Sequence, residues 1–103
     1  MMNDNVEEKN VYGLKDFKPQ DGTEEIREQQ IAFYKMNADG SFENGTTLEE
    51  MLRVSIERLE DLNGRFPCRE NALAITKMQE ALMWLNKRTE DRKLRGVEGK
   101  HLN

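Results

Sequence analysis

Cysteine and histidine each occur once in this 103-residue chain, proline twice and tryptophan once. A lone Cys68 excludes an internal disulfide and fits a reducing compartment. One Cys and one His also leave no His/Cys cluster able to hold a zinc ion. No apolar run approaches the roughly 20 residues needed to cross a bilayer. Residues Met1 to Asn10 are too polar and acidic for a secretory leader, so a soluble cytoplasmic protein is expected. Neither a GxGxxG nor a GxxxxGK[ST] element is present to cradle a nucleotide's phosphates.

Apolar residues are scarce as well, 36% of the chain against 35% charged. A single small domain of this kind buries too little surface to be self-sufficient, and homo-oligomerisation is the expectation. The net charge is -4, unevenly spread. From Lys87 onward, Lys87, Arg88, Arg92, Lys93, Arg95 and Lys100 face only Glu90, Asp91 and Glu98. That end is net positive in an acidic protein. It reads either as a solvated helix end with cations placed against the helix dipole, or as an anion site.

Three stretches follow along the chain. Residues 1–28 read as a mobile N-terminal arm with turn chemistry at Lys18–Gly22 and room for a short helix at Thr23–Gln30. Residues 29–45 form a short β-strand or hairpin region. Gln30–Met36 is β-prone, Asp39-Gly40 supplies a turn, and Ser41–Glu43 returns to pair. Residues 46–103 form a helical hairpin. Thr47 and Glu50 stand in capping-box spacing. Leu48, Met51, Leu52, Ile56, Leu59 and Leu62 then recur at three and four. Gly64 suits a helix C′ position, and Pro67 a helix start.

In the second helix Ala74, Ile75, Met78, Ala81, Leu82 and Leu85 make the main stripe. Leu73, Met83 and Trp84 widen it beyond one partner's reach. A short link makes the two helices antiparallel. Helices of about 17 and 27 residues would be roughly 25 Å and 40 Å long. The second should therefore overhang the first beyond about Leu85, carrying the basic cluster with it.

Catalytic chemistry is hard to assemble from these residues. Cys68 beside Arg69 at a helix start favours a thiolate, but His101 lies at the far end of the long helix. Asn37–Ser41 lacks the ligand series of a calcium loop. The acidic remainder of the chain would repel a long nucleic acid. A compact phosphorylated ligand needs only a small basic pocket. Arg95 offers a bidentate fork, Gly96 ends the helix, Gly99 admits backbone N–H groups, and Lys100 and His101 add donors. Arg69 and, more remotely, Arg53 are further candidates. Phe33, Tyr34 and Trp84 are either stacking faces for bases or core residues.

The run from Phe66 to Leu85 holds Cys68-Arg69-Glu70, Ala72-Leu73-Ala74, Thr76-Lys77, Glu80-Ala81 and Met83-Trp84. In these residues the chain resembles the helical-hairpin family of bacteriophage anti-CBASS and anti-Thoeris proteins. The closing Arg95-Gly96-Val97-Glu98-Gly99 is similar to that family's ending, with Lys100 where a Thr often follows. The resemblance covers roughly Thr47 to His101. It implies a sponge that binds cyclic di- or trinucleotides or cyclic ADP-ribose derivatives without cleaving them. It also implies a homohexamer with pockets between protomers, and no catalysis or cofactor.

The expectation is thus a mainly α protein with a small β element. An antiparallel two-helix hairpin, preceded by a short strand or β-hairpin, assembles into a homo-oligomeric helical bundle. The competing reading is a non-enzymatic helical interaction module that binds a host protein and no nucleotide. A small nucleic-acid accessory protein comes third.

Overall fold

The structure is a computed structural model, and it describes residues 8–96. The chain divides into two compact units, one ending at Thr46 and the other beginning at Thr47.

The first unit is built from four short strands, β1 (Val11–Lys15), β2 (Glu28–Ala32), β3 (Lys35–Met36) and β4 (Phe42–Glu43). β1 pairs antiparallel with β2, Val11 opposite Ala32 and Lys15 opposite Glu28. The expected arm at 1–28 therefore contains a strand, and the turn after Lys18 leads into β2 and not into a helix at Thr23–Gln30. The helical option loses because Thr23–Gln30 has almost no apolar face to bury, whereas pairing with β1 satisfies its backbone directly.

The single strand expected over Gln30–Met36 is divided at Phe33 and Tyr34. Thr46 N–H donates to Ala32 O (2.9 Å) and Tyr34 N–H donates to Thr46 O (2.9 Å). Gly45 makes this possible. A Cβ there would sit 2.6 Å from Ala32 O and from Phe33 C, so no larger residue fits without moving backbone. β3 and β4 form the expected hairpin. Gly40 takes φ 90° in its turn, and Asn37 N–H donates to Ser41 O at 2.8 Å.

Lys35 is buried in this unit and faces Glu43 across the β3–β4 pair at 3.5 Å. Edge-on and tilted ring contacts join Tyr12 to Phe33 and Tyr34 to Phe42, while Phe17 is exposed.

The second unit is the hairpin of α1 (Leu48–Arg65) and α2 (Arg69–Leu94). Thr47 caps α1 by accepting from Glu50 N–H at 3.1 Å. The Glu50 carboxylate pairs with Arg53.

Gly64 lies inside α1 and not at its C′ position; the helix ends with Phe66 N–H on Leu62 O. Here a side chain shapes the link in place of a left-handed glycine, since Asn63 Oδ1 accepts from Cys68 N–H at 3.1 Å. Pro67 correspondingly precedes the cap and does not begin the helix. The cap is Cys68, whose Sγ accepts from Asn71 N–H at 3.4 Å.

Along α2 the half-buried residues are Asn71, Ile75, Met78, Leu82, Leu85 and Thr89 (with Asp91 and Arg92 beyond), the regular spacing of one helix side. Ile56 of α1 is the single buried apolar residue among those described. The core is as thin as the composition implied. Trp84 takes no part in it, being 62% exposed.

Candidate functional site

Of the cations proposed for an anion site, Arg69 and Arg95 are positioned by the two ends of α2. The overhang of α2 is shorter than the 25 Å and 40 Å estimate implied, because the helices have 18 and 26 residues. Thr89 Oγ1 donates to Glu49 Oε2 at 3.1 Å, so the start of α1 lies beside Thr89 and not Leu85. Glu90 to Leu94 continue past it, and Leu94 is 86% exposed.

Arg95 is the C-cap of α2, exposed, with its backbone N–H on Asp91 O (3.1 Å) and its Nε on the same carbonyl at 3.4 Å. Gly96 follows at φ 71°, the left-handed position that glycine fills without steric cost, and its N–H returns to Lys93 O. This exposed guanidinium thus belongs to a helix end already shared by Arg92 and Lys93. The helix dipole favours such cations there. Gly99, Lys100 and His101 lie outside the described residues.

Arg69 is the first residue of α2 and exposed, at the opposite end of the helix from Arg95. The 26 residues of α2 place these two ends roughly 39 Å apart at 1.5 Å per residue. Within one chain they cannot serve one pocket. Arg53 is differently placed. It donates to both oxygens of Glu50, at 2.8 and 2.6 Å, and also to Glu57. These hydrogen bonds, foremost those with Glu50, raise the Arg53 pKa and hold the Glu50 carboxyl below its ordinary range. An anion approaching Arg53 meets two carboxylates already in place, making it the poorest anion ligand of the three.

A shallow groove on α2 is lined by Gln79, Leu82, Met83, Asn86, Lys87 and Glu90. Of the proposed cations that are described, Arg53, Arg69 and Arg95, none lines it. The amide pair Gln79 and Asn86 offers donors and acceptors over a Leu82/Met83 floor. Neither amide stands out in the sequence, because polar side chains at helical spacing look like ordinary solvent-facing positions.

Among the described residues, no group of three or more His, Cys, Asp or Glu could hold a metal ion. No described helix is long and apolar enough to cross a membrane.

Residues 25–90 match the family model described as Acb2/Tad1, hairpin domain. This span runs from just before β2 to near the end of α2. The chain is also 58% identical over 59 residues to Thoeris anti-defense 1 of Bacillus phage SBSphiJ7, a match covering 56% of this chain and 42% of that protein. The aligned part is less than half the length of that relative. The helix pair, its capped ends and the family match over most of the chain lead to one conclusion: this protein belongs to the Acb2/Tad1 hairpin family.

Proposed function

We propose that this protein blocks antiphage signalling by binding cyclic nucleotide second messengers and holding them intact. The ligand class is cyclic di- or trinucleotides or cyclic ADP-ribose derivatives. The protein acts in the host cytoplasm as a homo-oligomer, a hexamer by the family likeness, with pockets between protomers. The observation that carries this reading is the 58% identity to a protein named for opposing the Thoeris defence.

The geometry supports it in two ways. Arg95 presents a guanidinium at a helix end enriched in cations, beside a glycine that leaves the backbone open. Cys68 uses its sulfur as a helix cap, a structural task that accounts for its place in the motif without nucleophilic chemistry. In this reading Arg95 is the main phosphate ligand, and Gly96, Gly99, Lys100 and His101 complete the wall. Arg69 serves a separate pocket, and Arg53 contributes least.

Calorimetric titration with a panel of cyclic di- and trinucleotides and cyclic ADP-ribose isomers tests the proposal, followed by heat release and mass analysis of the ligand. Tight binding with intact ligand supports it. Cleaved ligand identifies an enzyme instead. No binding across the panel overturns it and favours the host-protein interaction module.

A further inference from the structure

α2 has a second apolar side, and its pattern is self-complementary. The half-buried series Asn71, Ile75, Met78, Leu82, Leu85 and Thr89 occupies one side of the helix. At 100° per residue, Leu73, Met83, Trp84 and Leu94 fall on the opposite side. They are 46%, 55%, 62% and 86% exposed. Within this outer stripe Leu73, Glu80, Lys87 and Leu94 are spaced by seven and form its midline. A seven-residue repeat on a 3.6-residue helix drifts by about 20° per repeat, which suits a shallow crossing with another helix.

The stripe is symmetric about the bond between Met83 and Trp84. Leu73 lies ten residues before Met83 and Leu94 ten after Trp84; Glu80 lies three before and Lys87 three after. We infer that this side of α2 packs antiparallel on the α2 of a second copy, around a two-fold axis passing between Met83 and Trp84.

In that register Leu73 meets Leu94 of the second copy, and Glu80 meets its Lys87. Met83 and Trp84, on the two flanks of the stripe, each meet their own counterpart. On the Trp84 flank Lys77 meets Asp91. The pairs within one helix, Lys77–Glu80 at 3.8 Å and Lys87–Asp91 at 3.6 Å, then join across the axis into rings of four alternating charges. The occupant is a second copy because one helix run antiparallel satisfies the apolar pairs and the ion pairs at a single register. An isologous contact has this property by necessity. A thin core with a single buried apolar residue among those described leaves the hairpin in need of such cover. This inference deepens the self-association proposed above and does not depend on the ligand.

The test uses the full chain. Sedimentation measures assembly of the wild type, Glu80→Lys, Lys87→Glu and the double reversal, with circular dichroism confirming the helices. Each single reversal puts like charges together at both symmetric contacts and should weaken assembly by about tenfold or more. The double reversal should restore it. Singles without effect, or a double as weak as the singles, overturn the interface.

As a second measurement, Met83→Cys in a Cys68→Ser background should form an intermolecular disulfide on mild oxidation, while Ala74→Cys, on another side of α2, should not. Assembled Met83→Cys protein that fails to cross-link overturns this contact and leaves self-association standing. A wild type that stays monomeric overturns both.

Discussion

The two units of this chain keep their shape by different means. Up to Thr46, order comes from backbone pairing and close approach: short ladders, the hydrogen bonds of Thr46 to Ala32 and Tyr34, and Gly45 pressed on the backbone. From Thr47 onward, order comes from capped helices whose inner stripes meet around Ile56. The first kind of structure depends on what the main chain does, the second on which side chains recur. A substitution is therefore costly for different reasons in each.

The most damaging change should be in the hairpin. Ile56→Ala removes the one buried apolar side chain among those described, and is expected to cost about 2–5 kcal/mol. Denaturant unfolding followed by helical circular dichroism checks this; a loss below that range would mean the outer stripe of α2 matters more than the inner one. Next in size is Arg95→Ala, which should weaken ligand binding by about 1.5–3 kcal/mol, the range for a charged hydrogen bond, without changing the melting curve. Unchanged affinity in calorimetry would move the phosphate site away from this helix end.

Gly45→Ala is the counterpart in the strand unit. It forces a Cβ against backbone atoms that cannot rotate away, at about 1–3 kcal/mol, the usual range for overpacking. Amide exchange at Tyr34 and Thr46 should accelerate in this variant; unchanged exchange would show that the segment shifts freely. Thr47→Ala should cost about 1 kcal/mol through the lost cap, read in the same unfolding assay as Ile56→Ala.

The smallest effect is electrostatic. Arg53 holds the Glu50 carboxyl below its ordinary pKa chiefly by hydrogen bonding. A carboxyl depressed by folding adds stability above its unfolded pKa, and that share is lost as pH falls through the folded value. In an NMR titration Glu50 should therefore have its midpoint below the ordinary glutamate range, and Arg53→Ala should return it there. A midpoint that does not move on substitution would dissociate the shift from Arg53.

Much of the hairpin was legible from local chemistry. The Thr47 cap, the apolar stripe of α1 and the stop at Gly96 follow from residue types acting on their nearest neighbours in the chain. The errors share one cause. Gly64 looked like a helix end, but Asn63 reaches Cys68 N–H and shapes the link without a left-handed residue. Gln30–Met36 looked like one strand, but Thr46 inserts its backbone at Phe33 and Tyr34. Val11–Lys15 looked like an arm, and its partner lies more than ten residues away across a turn. Each was decided by a group distant in sequence or by a side chain competing with the expected backbone geometry.

The proposed anion site shows the same division. The basic balance of the C-terminal end and the wide apolar surface of the second helix are properties of the sequence alone. Which cations remain available was decided by the fold. Arg53 is taken up by Glu50 and Glu57, Arg69 and Arg95 are set at opposite ends of α2, and Thr89 meets Glu49 to shorten the overhang. Sequence determines which side of a helix is apolar or charged because the helical repeat is a local property. Pairing, clearance and the occupation of each guanidinium depend on atoms brought together from elsewhere, and only the tertiary structure decides those.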